Sequence, residues 1–302
     1  MRFLISFIVC FFSFSLQAMQ ITEMKMTEAE QAKWLALAYP HGKIFNSNDE
    51  RIRSERESAD PDFKPDGKAR LFWKIPKKLI KETEIIEGGP ADHVLFKFER
   101  AFRVQHQNKT HLFIMVNATQ IGDDLQETLT ERVCASCDGV IGVASIDITN
   151  ATPVVVKIDP FFSTIGHRGE IPQDITITKI GPDKEILRIK RIAGFINASD
   201  EVTFLLDPEK QRILFIAETQ SCVDEGTEDE RNSPDKDKTC LSQQHKSKVR
   251  ILSHLPPKNG YYLLDVRIKG HFFDKKKKRV INYAEHGQYF FNGKTYVLEK
   301  SK

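Results

Sequence analysis

The sequence predicts a mainly β protein, α+β by content. The expected form is an antiparallel sandwich or open barrel-like sheets with one N-terminal helix, and propeller-like stacked sheets are the alternative. Three observations predict it. From Arg70 onward, β-branched and aromatic residues recur with a period of two in short runs. Gly, Pro, Asn and Asp separate those runs, which suits antiparallel strands joined by tight turns. A capping box followed by helix formers lies upstream, at Thr27–Glu30. No fixed-period repeat is found, which sets the propeller second.

In chain order, Thr27-Glu28-Ala29-Glu30 is that capping box, with Thr at the cap and Glu three residues later. Trp34, Leu37 and Ala38 fall on one face, and Tyr39-Pro40-His41-Gly42 stops the helix, so it is expected over Glu28–Tyr39. Asn46 to Arg70 is dense in charge of both signs and reads as a flexible segment, with a short helix open over 49–57.

Strands are then expected over Val94–Val104, His111–Asn117, Val140–Ile148, Val154–Ile158, Asp174–Ile180, Glu185–Ile192 and Glu201–Leu206. More follow over Arg212–Glu218, Lys248–Leu252, Tyr261–Lys269, Arg279–Tyr283, Gln288–Phe291 and Thr295–Leu298. Turns are explicit at Asn150–Pro153, Gly181-Pro-Asp183, Asp207-Pro-Glu209 and Asn292-Gly293. The last is expected as a two-residue hairpin turn, since both residues tolerate positive φ. Glu185–Ile192 alternates as a strand with one wet and one buried face. The organisation that follows is a signal peptide over 1–18, a helix and charged segment over 19–70, and a β-rich domain over 71–302 with an insertion loop at 222–240.

Length and composition narrow the class. The chain has 302 residues, enough for a large core as one long or two modest domains. Its mean hydropathy of −0.39 argues against a polytopic membrane protein. Its 45 basic and 42 acidic residues give no global field, so no nucleic-acid partner is expected from bulk charge.

The N-terminus carries an address. Arg2 precedes an apolar run from Phe3 to Leu16, shorter than the roughly 20 residues that span a bilayer. Ala18 then offers a small residue for cleavage, although Leu16 is less ideal than Ala two positions earlier. This is the pattern of a secretory signal peptide, with an uncleaved anchor as the alternative. The mature chain is expected to begin near Met19, to be periplasmic or secreted, and to carry no transmembrane segment.

Of five cysteines, Cys10 leaves with the signal, and Cys134, Cys137, Cys222 and Cys240 remain. An even set in an oxidising compartment suggests disulfides, and the local pairs 134–137 and 222–240 are favoured among three pairings. Cys134-Ala-Ser-Cys137 is also the candidate for thiol–disulfide exchange. Asp138-Gly139 and a β-like run follow it, where a redox motif needs a helix, so a turn-pinning disulfide is preferred and zinc comes last. A disulfide at the neck of 222–240 contributes about 3 kcal/mol in the chain-entropy model. The enclosed Asp224, Glu225, Glu228, Asp229 and Glu230 are weak calcium candidates without EF-hand spacing.

Other candidates are sparser. Lys275, Lys276, Lys277, Lys278 and Arg279 form a basic run, expected as a charged hairpin tip and offered as a contact for an anionic surface or polymer. His167, with Asp159 and Arg168, is the best polar constellation for a hydrolase. Sequons occur at Asn108, Asn117, Asn150 and Asn197, and Asn117 falls in an expected strand. There is no G-x-S-x-G, H-E-x-x-H, P-loop or dinucleotide fingerprint, and no cofactor is expected.

Val133-Cys-Ala-Ser-Cys-Asp-Gly-Val-Ile-Gly-Val-Ala144 resembles a motif of exported bacterial proteins of uncharacterised activity, in which a Cys-x-x-Cys turn runs into an apolar strand. Lys179–Lys184 and Tyr261–Arg267 are similar too, and the resemblance spans Cys134 to Val297. Those proteins often carry His after the first Cys, where this chain has Ala135. The resemblance implies export and a β-rich body, and no activity. The expected function is a non-enzymatic binding or accessory protein of the periplasm or cell surface, with an unknown envelope or extracellular ligand. The alternatives are a thiol–disulfide oxidoreductase and a hydrolase.

Overall fold

A computed structural model describes residues 18–49, 65–79, 92–120, 139–165, 170–195, 198–220, 243–274 and 276–299. The described residues form two antiparallel sheets and one helix, and the sheets stack face to face as a sandwich.

Sheet 1 contains β1 (Gln20–Met24), β2 (Lys43–Phe45), β3 (Arg70–Lys74), β4 (His93–His106), β5 (Lys109–Gln120), β6 (Val140–Asp147) and β7 (Val154–Ser163). Its order is β2-β3-β4-β5-β6-β7, and β1 also pairs with β4. Sheet 2 is a meander of β8 (Asp174–Gly181), β9 (Lys184–Phe195), β10 (Ala198–Asp207), β11 (Arg212–Gln220), β12 (Gln243–Leu252), β13 (Leu263–Asp274), β14 (Arg279–Phe291) and β15 (Tyr296–Leu298).

The helix α1 (Glu28–Ala38) starts at the capping box. Glu30 N–H donates to Thr27 Oγ1 at 3.3 Å, and Thr27 N–H donates to Glu30 Oε2 at 2.8 Å. Leu35, Ala38 and the adjoining Tyr39 are buried against sheet 1, with Tyr39 stacked 4.3 Å from Phe96.

Sheet 1 is apolar on both faces, because it has a neighbour on each side. In β5, Leu112, Ile114 and Val116 face α1, while Phe113 and Met115 face sheet 2. In β4, Val94, Phe96 and Phe98 face α1. Glu99 is then an extra residue, since Phe98 pairs with Val116 and Arg100 with Met115. This bulge reverses the parity of the strand. Ala101 thereby returns to the helix side, and Phe102 and Val104 face sheet 2.

The bulge also marks a seam. β3 pairs with β4 from His93 to Lys97, and β1 pairs with it from Ala101 to Gln105, so two strands share one edge in tandem. Glu99 is buried in the seam, ion-paired with Lys68 and 3.5 Å from Lys97. Gln31 of α1 spans it: its Nε2 donates to Met26 O at 3.1 Å, and its Oε1 accepts from Ala69 N–H at 2.9 Å.

Sheet 2 folds back on itself. Between β11 and β12 the ladder narrows to one pair, Gln220 with His245. Strands β8–β11 present Leu187, Ile189, Val202, Phe204 and Leu206 to sheet 1. Their other face offers Ile180, Ile186, Leu205 and Leu214 to Leu264, Val266, Phe291 and Tyr296 of β13–β15. The layers therefore run α1, sheet 1, β8–β11, β12–β15. Gly181 permits the fold-back at one corner: a Cβ there meets the carbonyl of Gly260, and the adjacent Ile180 O accepts from Tyr262 N–H at 2.7 Å.

Several expectations change at this level. β1, β2 and β3 lie outside the expected strands, and two expected runs merge into the single β14. The Glu185–Ile192 strand buries Leu187 and Ile189 on one face, and the other face, wet at Arg188 and Ile192, also buries Ile186. The last hairpin turns through Gly293-Lys294. Asn292 N–H donates to Thr295 O at 3.0 Å, and its side chain accepts from the amides of Lys294 and Thr295.

Gln31→Leu keeps a helix-compatible apolar side chain but strips the partners from two backbone groups. Chemical denaturation is expected to show a loss of about 1–3 kcal/mol, the usual result of orphaning buried polar groups.

A basic outer face as the candidate binding site

Strands β12–β14 form the outermost layer, and their register decides what it displays. Lys246 stands opposite Lys269, and Lys269 opposite Ala284. The next row is Lys248, Arg267 and His286, followed by Arg250, Asp265 and Gln288. Because side chains alternate, these residues share one face, opposite the face that buries Leu264 and Val266. Lys246, Lys248, Arg250, Arg267 and Lys269 are all exposed.

Five cations thus face one carboxylate. Asp265 accepts from Arg267 Nε at 3.1 Å and pairs with the His286 ring. The His286 hydrogen bond, helped by the Arg267 charge against the effect of burial, holds its carboxyl below the usual carboxylate range. No acid among the described residues pairs with Lys246, Lys248, Arg250 or Lys269. Lys246 with Lys269 and Lys248 with Arg267 are directly opposed like charges, an arrangement that costs stability.

The expected hairpin tip continues this face. β13 and β14 close through Asp274, whose Oδ1 accepts from the amides of Lys276 and Lys277. Lys276, Lys277, Lys278 and Arg279 are exposed there, and Lys278 takes a positive φ of 50°. Lys275 lies outside the described residues.

A polar joint anchors this half of sheet 2 to the rest. Asp207 is buried in the β10–β11 turn, and its Oδ1 accepts from the amides of Glu209 and Lys210, each at 3.1 Å. The Tyr261 hydroxyl reaches its Oδ2 at 3.5 Å. Burial pushes the Asp207 carboxyl up against the pull of the Lys210 amide. Burial, then the nearby Asp207, also pushes the Tyr261 hydroxyl up. Glu209 hydrogen-bonds His106 Nδ1 at 2.7 Å, tying the β4–β5 turn of sheet 1 to sheet 2. Burial raises Glu209, but the His106 hydrogen bond and the charges of His106, Lys184 and Lys210 outweigh it, so it sits below its ordinary range.

The other predicted positions are dispersed or outside the description. Cys134, Cys137, His167, Arg168, Cys222 and Cys240 lie outside the described residues, as do Asp224, Glu225, Glu228, Asp229 and Glu230. Asp159 sits on β7 and contributes to raising the buried Tyr39 hydroxyl. Among the described residues, no group of three or more His, Cys, Asp or Glu is placed to hold a metal, and no helix is long and apolar enough to cross a membrane. Asn117 is 2% exposed within β5, which closes that sequon in the folded state, while Asn108 and Asn150 are exposed in turns. Asn197 lies outside the described residues.

Sequence reasoning missed the rail of Lys246, Lys248, Arg250, Arg267 and Lys269. Its signal was present as basic residues at spacing two in separate runs, but only the register brings them together. No family model, no curated protein and no solved structure matches the chain.

The buried Asp207 gives a test of the joint. A carboxyl whose folded value is raised contributes stability that is present below its ordinary value and is lost as pH rises through the folded value. Asp207→Asn keeps an oxygen acceptor for the turn amides. It is expected to be more stable than the parent at pH 7, with the difference closing below about pH 4. Thermal melts across pH check this.

Proposed function

We propose that the chain is an exported, non-enzymatic binding module that engages an anionic ligand through the outer face of β12–β14. The observation that carries this reading is the set of five exposed cations held in register around a single, already paired carboxylate. Such a face attracts polyanions and holds them by counterion release. The apolar layers beneath it keep it rigid, which limits the entropy lost on binding.

The address supports the setting. Arg2, the apolar run to Leu16 and the small Ala18 support cleavage before Met19 and delivery to the periplasm or beyond. In that compartment Cys134, Cys137, Cys222 and Cys240 are proposed to be paired. Intact-mass measurement of the exported protein is expected to place the N-terminus at Met19, and an unprocessed Met1 refutes the address.

Binding is tested on the full mature chain with anionic vesicles, an acidic polysaccharide and a single-stranded oligonucleotide. At least one is expected to bind at about 50 mM salt and to lose roughly two orders of magnitude by about 200 mM. The triple variant K246Q/K248Q/K269Q is expected to bind at least ten-fold more weakly. Absence of binding to all three polyanions at the lower salt ends the reading.

A further inference from the structure

Resting on the reading of this face as an anion-binding surface, we infer that its ligand is a linear anionic polysaccharide lying along β12 and β13. The cations are arranged as a narrow double rail. Lys246, Lys248 and Arg250 occupy alternate positions of β12, about 7 Å apart, and Arg267 and Lys269 do so on β13, about 5 Å away. The neighbouring strand β14 adds Asn282, Ala284, His286 and Gln288 on the same face, with no lysine or arginine among them. On the other side, β11 brings the Thr219 hydroxyl, which accepts from Ser247 N–H at 2.9 Å, and carries no lysine or arginine from Ile213 to Gln220. The positive charge is therefore long and thin, with no further lysine or arginine on either flanking strand beside it.

Length comes from the hairpin. From the Arg250–Asp265 row to Asp274, β13 advances nine residues, about 30 Å, and the cations Lys276 to Arg279 stand at that end. A membrane presents its charge over a plane and favours a broad basic patch. A rail of this shape matches a chain with charges along one line.

The chemistry of the face selects among linear polyanions. Single-stranded nucleic acids are held by aromatic platforms as well as cations. The twelve side chains from Gln244 to Arg250, Asp265 to His271 and Asn282 to Gln288 at alternate positions include no Phe, Tyr or Trp. The same alternation adds Phe273 and Phe290 at the margins, but Phe273 is buried and the Phe290 ring is covered by Lys258 Nζ at 3.6 Å, so neither is a free platform. They do include Gln244, Asn282 and Gln288, amides able to hydrogen-bond sugar hydroxyls, interleaved with lysine and arginine for carboxylate or sulfate groups.

The test is a size series of polyuronate and sulfated oligosaccharides, read by calorimetry on the full mature chain. Affinity is expected to rise with length until the oligomer spans about 30 Å and then to level off. Lys269→Gln, near the middle of that span, weakens short and long oligomers alike. Arg250→Gln and Lys277→Gln, at its ends, weaken long oligomers several-fold and spare short ones. Each rail substitution lowers the salt slope by about 0.7–0.9. Melting temperatures of Lys246→Gln and Lys269→Gln equal to or above the parent's show that the losses are not losses of fold. A neutral polysaccharide of the same length does not bind. Affinity independent of length, or tighter binding to vesicles or oligonucleotide than to the acidic glycan, overturns the inference but leaves an anion-binding module in place. Failure of every polyanion removes both.

Discussion

The fold depends on one irregularity in one strand, the bulge at Glu99 of β4. β4 is fourteen residues long and runs through the centre of sheet 1, so its two faces serve two different neighbours. Without the extra residue, Phe102 and Val104 fall on the helix side, and the aromatic filling between the sheets is lost along that half of the strand. The same irregularity divides the strand's edge between β3 and β1. The gap between them is filled by Glu99 with Lys68 and Lys97, charges whose burial is tolerable only because they are paired. Helix α1 lies over that seam and holds it through Gln31. The tandem strands and the switch of β4 from one face of the core to the other thus follow from a single local choice.

Two-sided burial then propagates outward. Sheet 1 needs a cover on its second face, and β8–β11 supply it. Those strands are themselves apolar on both faces, with Leu205 and Leu214 on one and Phe204 and Leu206 on the other. They need a further layer, and the chain provides it by bending sheet 2 at the thin β11–β12 junction. The last layer, β12–β14, is left with an outer face exposed at Lys246, Lys248, Arg250, Arg267 and Lys269.

Much of this architecture was legible in the sequence, for identifiable reasons. The Thr27–Glu30 capping box and the period-two runs from Val94 onward are local signals, and local physics suffices to place the helix and most strands. β1 and β2 escaped because they are three to five residues long and owe their state to β4 and β3. The expected runs leave a gap within β14 because Ala284-Glu285-His286-Gly287 has no β-branched or aromatic strand former, yet it lies against β13 throughout. The wet face of Glu185–Ile192 holds at Arg188 and Ile192 but not at Ile186, because alternation reports one buried face and is silent about a second layer. The candidate site was legible only as its tip. Lys275–Arg279 is contiguous and catches the eye, whereas the rail is assembled from β12 and β13 by register. The cysteines and His167, the sharpest features of the sequence, fall outside the described residues.

The placement of that rail follows from the relative size of two energies. Directly opposed like charges on neighbouring strands cost about 0.2–1 kcal/mol per pair. On the reverse face of the same strands, Leu264, Val266 and Phe291 are buried, each contributing roughly 1.5–3 kcal/mol. Apolar packing therefore sets the register, and the lysines accept the neighbours that register gives them. Salt relieves only part of the repulsion, because the rail spacing of about 5–7 Å is shorter than the screening length of about 8 Å at physiological ionic strength. Folding thus leaves a concentrated, partly unscreened positive field, and a bound polyanion relieves it in one step. The repulsion stored in Lys246–Lys269 and Lys248–Arg267 is a cost to the free protein and becomes a source of affinity once an anion lies across them.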